Sequence, residues 1–261
     1  MKTISAARIL IIPDIHQCLS FADKALKAEP FDHVVFLGDY FDCFEEPDNV
    51  KYFSVENTCA WLNQKYNELG DKATWLVGNH DLSYLGTYLP NTWKIHRPQN
   101  FRCLCPGWSP NKAKSFNKVI SPAWVEALEL CAEGNGYVFS HAGFHYRQFT
   151  NAPSTVRDNI SKLARVWREN RFEFRDRGFS WINDCGPARG GADDVGSPLW
   201  LDWDEEFVPM EEIRQIVGHT NGLATRTKRF SAHEVDYCLD AYRTTYAIVT
   251  ENGVKTIYVG N

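Results

Sequence analysis

The 261-residue chain contains no run of about 18 apolar residues, so it offers no candidate for a membrane-spanning helix. Its first residues, Met1 to Arg8, lack the long apolar stretch of a secretory signal peptide. Positive charge is not in excess. The 28 Lys and Arg against 33 Asp and Glu leave a net charge of −5. That balance excludes a global basic field for nucleic acid or an anionic membrane, and leaves only a local basic patch open. The eight cysteines include no C-x-x-C pair of the zinc-ribbon type. They are scattered from Cys18 to Cys238 and read as reduced, buried, small apolar residues of a cytoplasmic protein. There is also no internal repeat, low-complexity segment or clear linker. With 44% hydrophobic and 23% charged residues, one domain over 1–261 with a sizeable core is expected.

The first third alternates short β-branched runs with helical spacing. Strands are expected at Arg8 to Pro13, His33 to Leu37 and Thr74 to Val77. Helices are expected at Ser20 to Ala28 and at Val55 to Leu69, the second stopped by Gly70. This alternation predicts an α/β domain with an at least partly parallel sheet. Over about 82–122 the pattern dissolves into a Pro-punctuated aromatic and basic stretch with Trp93, His96, Arg97, Arg102 and Trp108, read as an irregular insertion covering the site. Pro122 to Cys131 is expected to be helical behind an N-capping Ser121, and Tyr137 to Phe139 a strand. A second insertion, about 146–198, holds an arginine-rich helix from Val156 to Phe174 whose basic face is read as solvated. Arg214 to Val217 and Val235 to Leu239 read as strands. Thr245 to Thr250 and Val254 to Val259 are joined through Asn252-Gly253, a hairpin signal.

Five polar strings punctuate this pattern, most of them after a β-branched run: Asp14-Ile15-His16, Gly38-Asp39-Tyr40-Phe41-Asp42, Gly78-Asn79-His80-Asp81, Ser140-His141-Ala142-Gly143 and Gly218-His219-Thr220. Strand ends are where several loops can converge on one site. Aspartate, histidine and asparagine suit hard to borderline divalent ions such as Mn, Fe, Zn, Ni or Co. Asp39 has two carboxylate oxygens and could bridge two ions, which together can clamp a phosphoryl group. Taken singly, Asp14 could simply end a strand, and Asp42 or Asp81 could cap a helix.

The order D-x-H, G-D-x-x-D, G-N-H-D, S-H-A-G, G-H-T resembles the calcineurin-like metallophosphoesterase superfamily across most of the chain. The resemblance implies a four-layer α/β/β/α sandwich of two mixed sheets, with the metal loops at the carboxyl ends of strands. It implies two divalent ions, manganese first among the candidates. Asp14, His16 and Asp39 would hold one ion, and Asp39, Asn79, His141 and His219 the other. A metal-bridging hydroxide would attack phosphorus, and His80, oriented by Asp42, would protonate the leaving group. Leu199-Trp200 ahead of Gly218-His219-Thr220 is similar to the protein phosphatase and dinucleoside tetraphosphatase branch of bacterial or phage type.

The chain departs from that branch in three places. Cys43 stands where an arginine follows the second string, Gln17 where a glycine follows the first, and Asp202 where an arginine often follows Leu-Trp. Arg147 is the candidate substrate-binding residue, with Arg97, Arg102 and Arg226 as alternatives. The expected function is hydrolysis of a phosphomonoester, on a phosphoprotein or a small molecule. The alternatives are a phosphodiester or dinucleoside polyphosphate substrate, and a non-catalytic binding scaffold.

Overall fold

In the computed structural model, residues 1–43, 54–88, 105–149, 154–170 and 181–259 are described. The first half runs Lys2–Thr3 (β1), Ile9–Ile12 (β2), Leu19–Ala28 (α1), His33–Phe36 (β3), Val55–Leu69 (α2), Ala73–Leu76 (β4), Asn79–Leu85 (α3), Pro110–Val119 (α4) and Pro122–Glu126 (α5). The second runs Leu128–Glu129 (β5), Cys131–Gly134 (β6), Tyr137–Ser140 (β7), Val156–Asn170 (α6), Arg214–Val217 (β8), Arg226–Arg229 (β9), Val235–Cys238 (β10), Thr245–Thr250 (β11) and Gly253–Tyr258 (β12).

These strands form two six-stranded mixed sheets, ordered β12-β11-β2-β3-β4-β5 and β1-β6-β7-β8-β10-β9. β2, β3, β4 and β5 are mutually parallel, as are β7, β8 and β10. Side chains of a strand alternate between faces, and that alternation divides the core. Ile9, Ile11, Val35 and Leu76 join Phe139 and Ile216 of the other sheet in one apolar layer. Leu10, Ile12, Val34, Phe36 and Trp75 turn the other way and pack with α1, α2 and α5. Trp75 and Phe36 stack with centroids 4.2 Å apart, an offset aromatic contact that adds to their area burial. α6 buries Ile160, Ala164 and Trp167. Its Arg157 and Arg168 pair with Glu133 of β6 and Glu129 of β5, so part of the expected solvated face is tied to both sheets. The result is the expected α/β/β/α sandwich of two mixed sheets flanked by helices.

Three local expectations change. The helix that begins at Pro122 ends at Glu126, and Leu128 and Glu129 instead pair with Trp75 and Leu76 of β4. Their sequence favours a helix, but an open sheet edge captures them, so tertiary pairing overrides propensity. Within the segment expected to be irregular, Pro110–Val119 is helical. Ser109 accepts from Lys112 N, and Phe116 and Ala113 are buried. β9, Arg-Thr-Lys-Arg, has no counterpart among the expected strands. It lies at a sheet edge, where no apolar alternation is needed, and Lys228 Nζ lies 5.6 Å from the Trp203 ring. Trp93, His96, Arg97 and Arg102 lie outside the described residues. Among the described residues no helix is long and apolar enough to cross a membrane.

Buried charge away from the cleft gives a test of the packing. Asp236 on β10 is 2% exposed and accepts from Gln215 N at 2.5 Å. Burial pushes its carboxyl up to about 7 from an ordinary 3.8. A folded-state value above the unfolded one means the folded chain binds more protons between these values. This contribution to stability is therefore full below about pH 4 and is lost as pH rises through 7. Asp236→Asn has no such titration. Its stability relative to wild type should rise steadily from pH 4 to pH 8 in urea unfolding, and a flat or falling difference would contradict this account.

Candidate metal centre

The strings sit in loops leaving the carboxyl ends of β2, β3, β4, β7 and β8, so five strand ends meet at one edge of the sandwich. The loops are held together by two buried carboxylates. Asp81, in the first turn of α3, accepts Asp39 N and Gly78 N through Oδ2, both at 2.8 Å, and Tyr40 N through Oδ1 at 2.9 Å. Asp14 accepts His219 N at 3.0 and 3.1 Å and so joins the first string to the last. Close approach demands glycine here. A Cβ on Gly38, whose φ is +102°, would lie 2.5 Å from Gly78 N, and one on Gly78 would lie 2.2 Å from Asp39 Oδ1.

Six side chains converge. His16 Nδ1 lies 3.0 Å from Phe41 O and His141 Nδ1 2.9 Å from Leu37 O. Each carbonyl accepts an N–H there, which fixes the tautomer and leaves Nε2 with a lone pair. His141 Nε2 then faces Asn79 Oδ1 at 2.8 Å and His219 Nδ1 at 3.2 Å, while Asn79 Oδ1 lies 3.0 Å from His219 Nδ1. Asp39 Oδ1 accepts His80 N at 2.9 Å. Its other oxygen lies 3.6 Å from His16 Nε2 and 3.5 Å from His141 Nε2. Two clusters result, Asp14–His16–Asp39 and Asp39–His141–His219, sharing Asp39.

Proton affinities follow from burial. His16 falls to about 3, chiefly by burial and then by the charges of His80 and Arg243. His141 also falls to about 3, mainly by burial, and His219 is lowered by burial and then by His141. Burial raises Asp14 and Asp39, with further increments from Asp240 on Asp14 and from Asp14 on Asp39. His141 Nε2 and the Asn79 amide oxygen turn lone pairs toward one another, and His219 Nδ1 adds a third in the tautomer that carries its proton on Nε2. Such a cradle fits a divalent cation of the O/N-preferring kind, and the shared carboxylate fits a second.

His80 lies beside this cradle, its ring 5.1 Å from that of His16 and edge-on to it. His80 Nδ1 lies 3.3 Å from Asp42 Oδ2. Asp42 is fully buried and also accepts Tyr84 OH at 2.6 Å and Lys112 Nζ at 3.2 Å. Tyr84 and Lys112 are not among the residues expected at the site. The i, i+4 step from His80 to Tyr84 on α3 is the available signal for Tyr84, whereas Lys112 arrives from α4 with none.

The cleft over the cradle has a volume of about 870 Å³. It is lined by His16, Asn79, His80 and His219, and also by residues that the strings do not contain: Arg189, Trp200, Asp240, Tyr242 and Arg243. Asp240 follows β10, a sixth strand end, as Asp14 and Asp39 follow β2 and β3. Burial lifts Asp240 to about 6, against the opposing charges of Arg243, Arg226 and Arg189. Arg147 is exposed and absent from the cleft lining, its guanidinium 5.9 Å from the Tyr146 ring. Arg226 is engaged with Asp204 and the Thr220 carbonyl.

Residues 7–239 match the calcineurin-like phosphoesterase family, and the chain belongs to that family. It is accordingly a hydrolase acting on phosphoester bonds, of a metal-dependent family. Solved structures share its fold. A cold-active protein-tyrosine phosphatase of a psychrophile, Shewanella sp., aligns over 98% of this chain and 82% of its own, at 15% identity and a TM-score of 0.57. A mutant cold-active protein tyrosine phosphatase aligns over 100% and 82%, at 15% identity and 0.60. A putative diadenosine tetraphosphatase aligns over 100% and 98%, at 14% identity and 0.51. No curated protein matches the chain significantly.

Cys105 orients one prospective ligand. Asn79 Nδ2 donates to its sulfur at 3.3 Å, and its S–H donates to Asn79 O at 3.2 Å. Burial, then Asp39, keeps this thiol protonated, so it acts as a hydrogen-bonding group. Without that acceptor the Asn79 amide can turn its NH₂ toward the imidazoles. Cys105→Ala should bind divalent metal about tenfold more weakly by calorimetry, with Cys105→Ser less affected. Equal affinity in wild type and the alanine variant would refute this role.

Proposed function

We propose that the protein is a dinuclear-metal phosphoester hydrolase acting on a phosphomonoester, of a phosphoprotein or a small molecule. The observation that carries this reading is the single carboxylate, Asp39, shared by two ligand clusters. Asp14, His16 and Asp39 would hold one divalent ion, and Asp39, Asn79, His141 and His219 the other. Two ions so placed supply Lewis acidity for the phosphoryl group and acidify water at neutral pH. Manganese suits this oxygen and imidazole set with no thiolate, as do Fe, Zn, Ni and Co.

His80 is the proton donor in this reading. Its Nδ1 is held by Asp42, which leaves Nε2 for the oxygen of the departing alcohol. Asp42 orients the ring, and Tyr84 and Lys112 hold Asp42. Because water is the nucleophile, no covalent intermediate on the chain is needed. The similar structures, a protein-tyrosine phosphatase and a putative diadenosine tetraphosphatase, support phosphate chemistry and leave the choice of ester to experiment. The thiols of Cys18, Cys59, Cys131 and Cys238 are buried and unbridged, which supports a reducing, cytoplasmic setting.

Purified protein with added Mn should hydrolyse p-nitrophenyl phosphate faster than its bis-ester. A clear preference for the bis-ester would overturn the monoesterase reading in favour of a diesterase, and no hydrolysis of either would favour a scaffold. Asp39→Asn should abolish metal-dependent turnover. His80→Ala should lower kcat by roughly 10²–10⁴-fold while metal stays bound. Loss of metal from His80→Ala, measured by elemental analysis, would contradict this division of roles.

A further inference from the structure

Backbone strain in the described residues is concentrated at the cleft. Non-glycine residues with positive φ are His16, Gln17, Asp39, Asp42, His219, Tyr242 and Arg243, together with Asn135. Asn135-Gly136, with φ of 48° and 80°, turns β6 into β7 as an ordinary Asn-Gly hairpin pair. Tyr242-Arg243, with φ of 51° and 61°, adopts the same left-handed pair of conformations without asparagine or glycine. Residues of this bulk rarely adopt that conformation, and neighbours must hold them there. Asn221 Oδ1 accepts Tyr242 N at 3.2 Å, and Thr244 N donates to Ala241 O at 3.1 Å. Both tip side chains line the cleft.

Arg189 also lines the cleft and is held in place. It ends a short 3₁₀ turn, Pro187–Arg189, before Gly190 at φ +77°. Its Nε lies 2.9 Å from Asp202 Oδ2, and its Nη2 donates to Thr220 Oγ1 at 2.9 Å. Asp202 is the residue that stands in place of an arginine after Leu199-Trp200. Here the acid does not remove the cation from the site but anchors one supplied by another segment. The last string and the residue after it tie these groups together: His219 joins the metal cradle, Thr220 holds Arg189 and Asn221 holds the Tyr242-Arg243 turn.

We infer that Arg189 and Arg243, both in the lining of the cleft over the metal cradle, grip the non-bridging oxygens of the substrate's terminal phosphate, filling the part left vacant by Cys43 and Asp202. The inference rests on the phosphoesterase reading above. Two guanidiniums facing a dinuclear cation site favour a dianionic, singly substituted phosphate over a diester, which has one charge fewer.

The test uses inorganic phosphate binding to the metal-loaded protein, by calorimetry, beside turnover of p-nitrophenyl phosphate. Arg189→Gln and Arg243→Gln should each weaken phosphate binding and raise KM by about 10- to 100-fold, at unchanged metal content. The lysine variants should recover part of the loss, since a point charge lacks the guanidinium fork. Arg229→Gln, on the exposed end of β9, removes one positive charge elsewhere and should leave both values unchanged. Phosphate affinity equal to wild type in both glutamine variants, or no phosphate affinity in wild type, overturns the inference. Phosphate binding that falls in the variants of a protein with no turnover supports the arginine assignment while refuting the hydrolase reading.

Discussion

The candidate site depends on one buried carboxylate that touches no substrate. Asp81 gathers three backbone N–H groups, two from the loop after β3 and one from the loop after β4. Each of those N–H groups is buried, and an unpaired buried donor is costly, on the order of 1–3 kcal/mol. One side chain satisfies all three and thereby fixes the distance between Asp39 and Asn79, on which the converging ligand atoms depend. The same aspartate caps α3, the helix that carries His80 and Tyr84. Helix start, loop spacing and the position of His80 are therefore parts of one interaction, and the two glycines that flank it leave no room for a Cβ.

Strain is the second constraint. His16, Asp39, Asp42 and His219 hold positive φ, a conformation that costs a non-glycine residue on the order of 1–3 kcal/mol. Three of them are pinned through their own N–H groups: Asp39 N donates to Asp81, His219 N to Asp14, and His16 N, beside Ile15 N, to Asp39 O. Gln17, at φ 65°, occupies the place where the resembling family has glycine, and its N–H donates to Tyr40 O at 2.9 Å. The substitution is accommodated because a backbone bond holds the turn that a glycine would otherwise adopt without strain.

What could be read from the sequence follows from how local each signal is. β2, β3 and β4 were legible because four-residue β-branched runs ending in Pro, Gly or Asp have few other uses in a folded chain. The polar strings were legible because metal ligands must be particular residue types at particular offsets. β5 and β9 were not, since Leu128-Glu129 and Arg226–Arg229 become strands only when a sheet edge accepts them. Cys105, Lys112 and Arg189 carried no local signal at all. Each acts through a partner far away in the chain: Asn79, Asp42 and Asp202 respectively. Arg147, one of four arginines that the sequence offered without a means of choosing among them, lies outside the cleft lining, on the 3₁₀ turn Tyr146–Gln148, which buries none of its residues.

The buried acids of the site can be sorted by what offsets their charge, and the sorting bears on where cations belong. Asp81 is surrounded by backbone N–H groups. Asp42 has Tyr84 OH and Lys112, and Asp240 has arginines near it. Asp14 has the backbone N–H of His219 and its own, Asp39 has that of His80, and both have neutral imidazoles beside them. Burial and mutual repulsion raise the proton affinity of both. Left to themselves these two carboxylates would take up protons, because an uncompensated buried charge is among the costliest features a fold can carry. They are also the two carboxylates in the ligand clusters, and His16, His141 and His219 are kept neutral beside them, with lone pairs available. Divalent ions displace protons from such a set more readily as pH rises, so the acids that the protein leaves uncompensated are those that the proposed metals would complete.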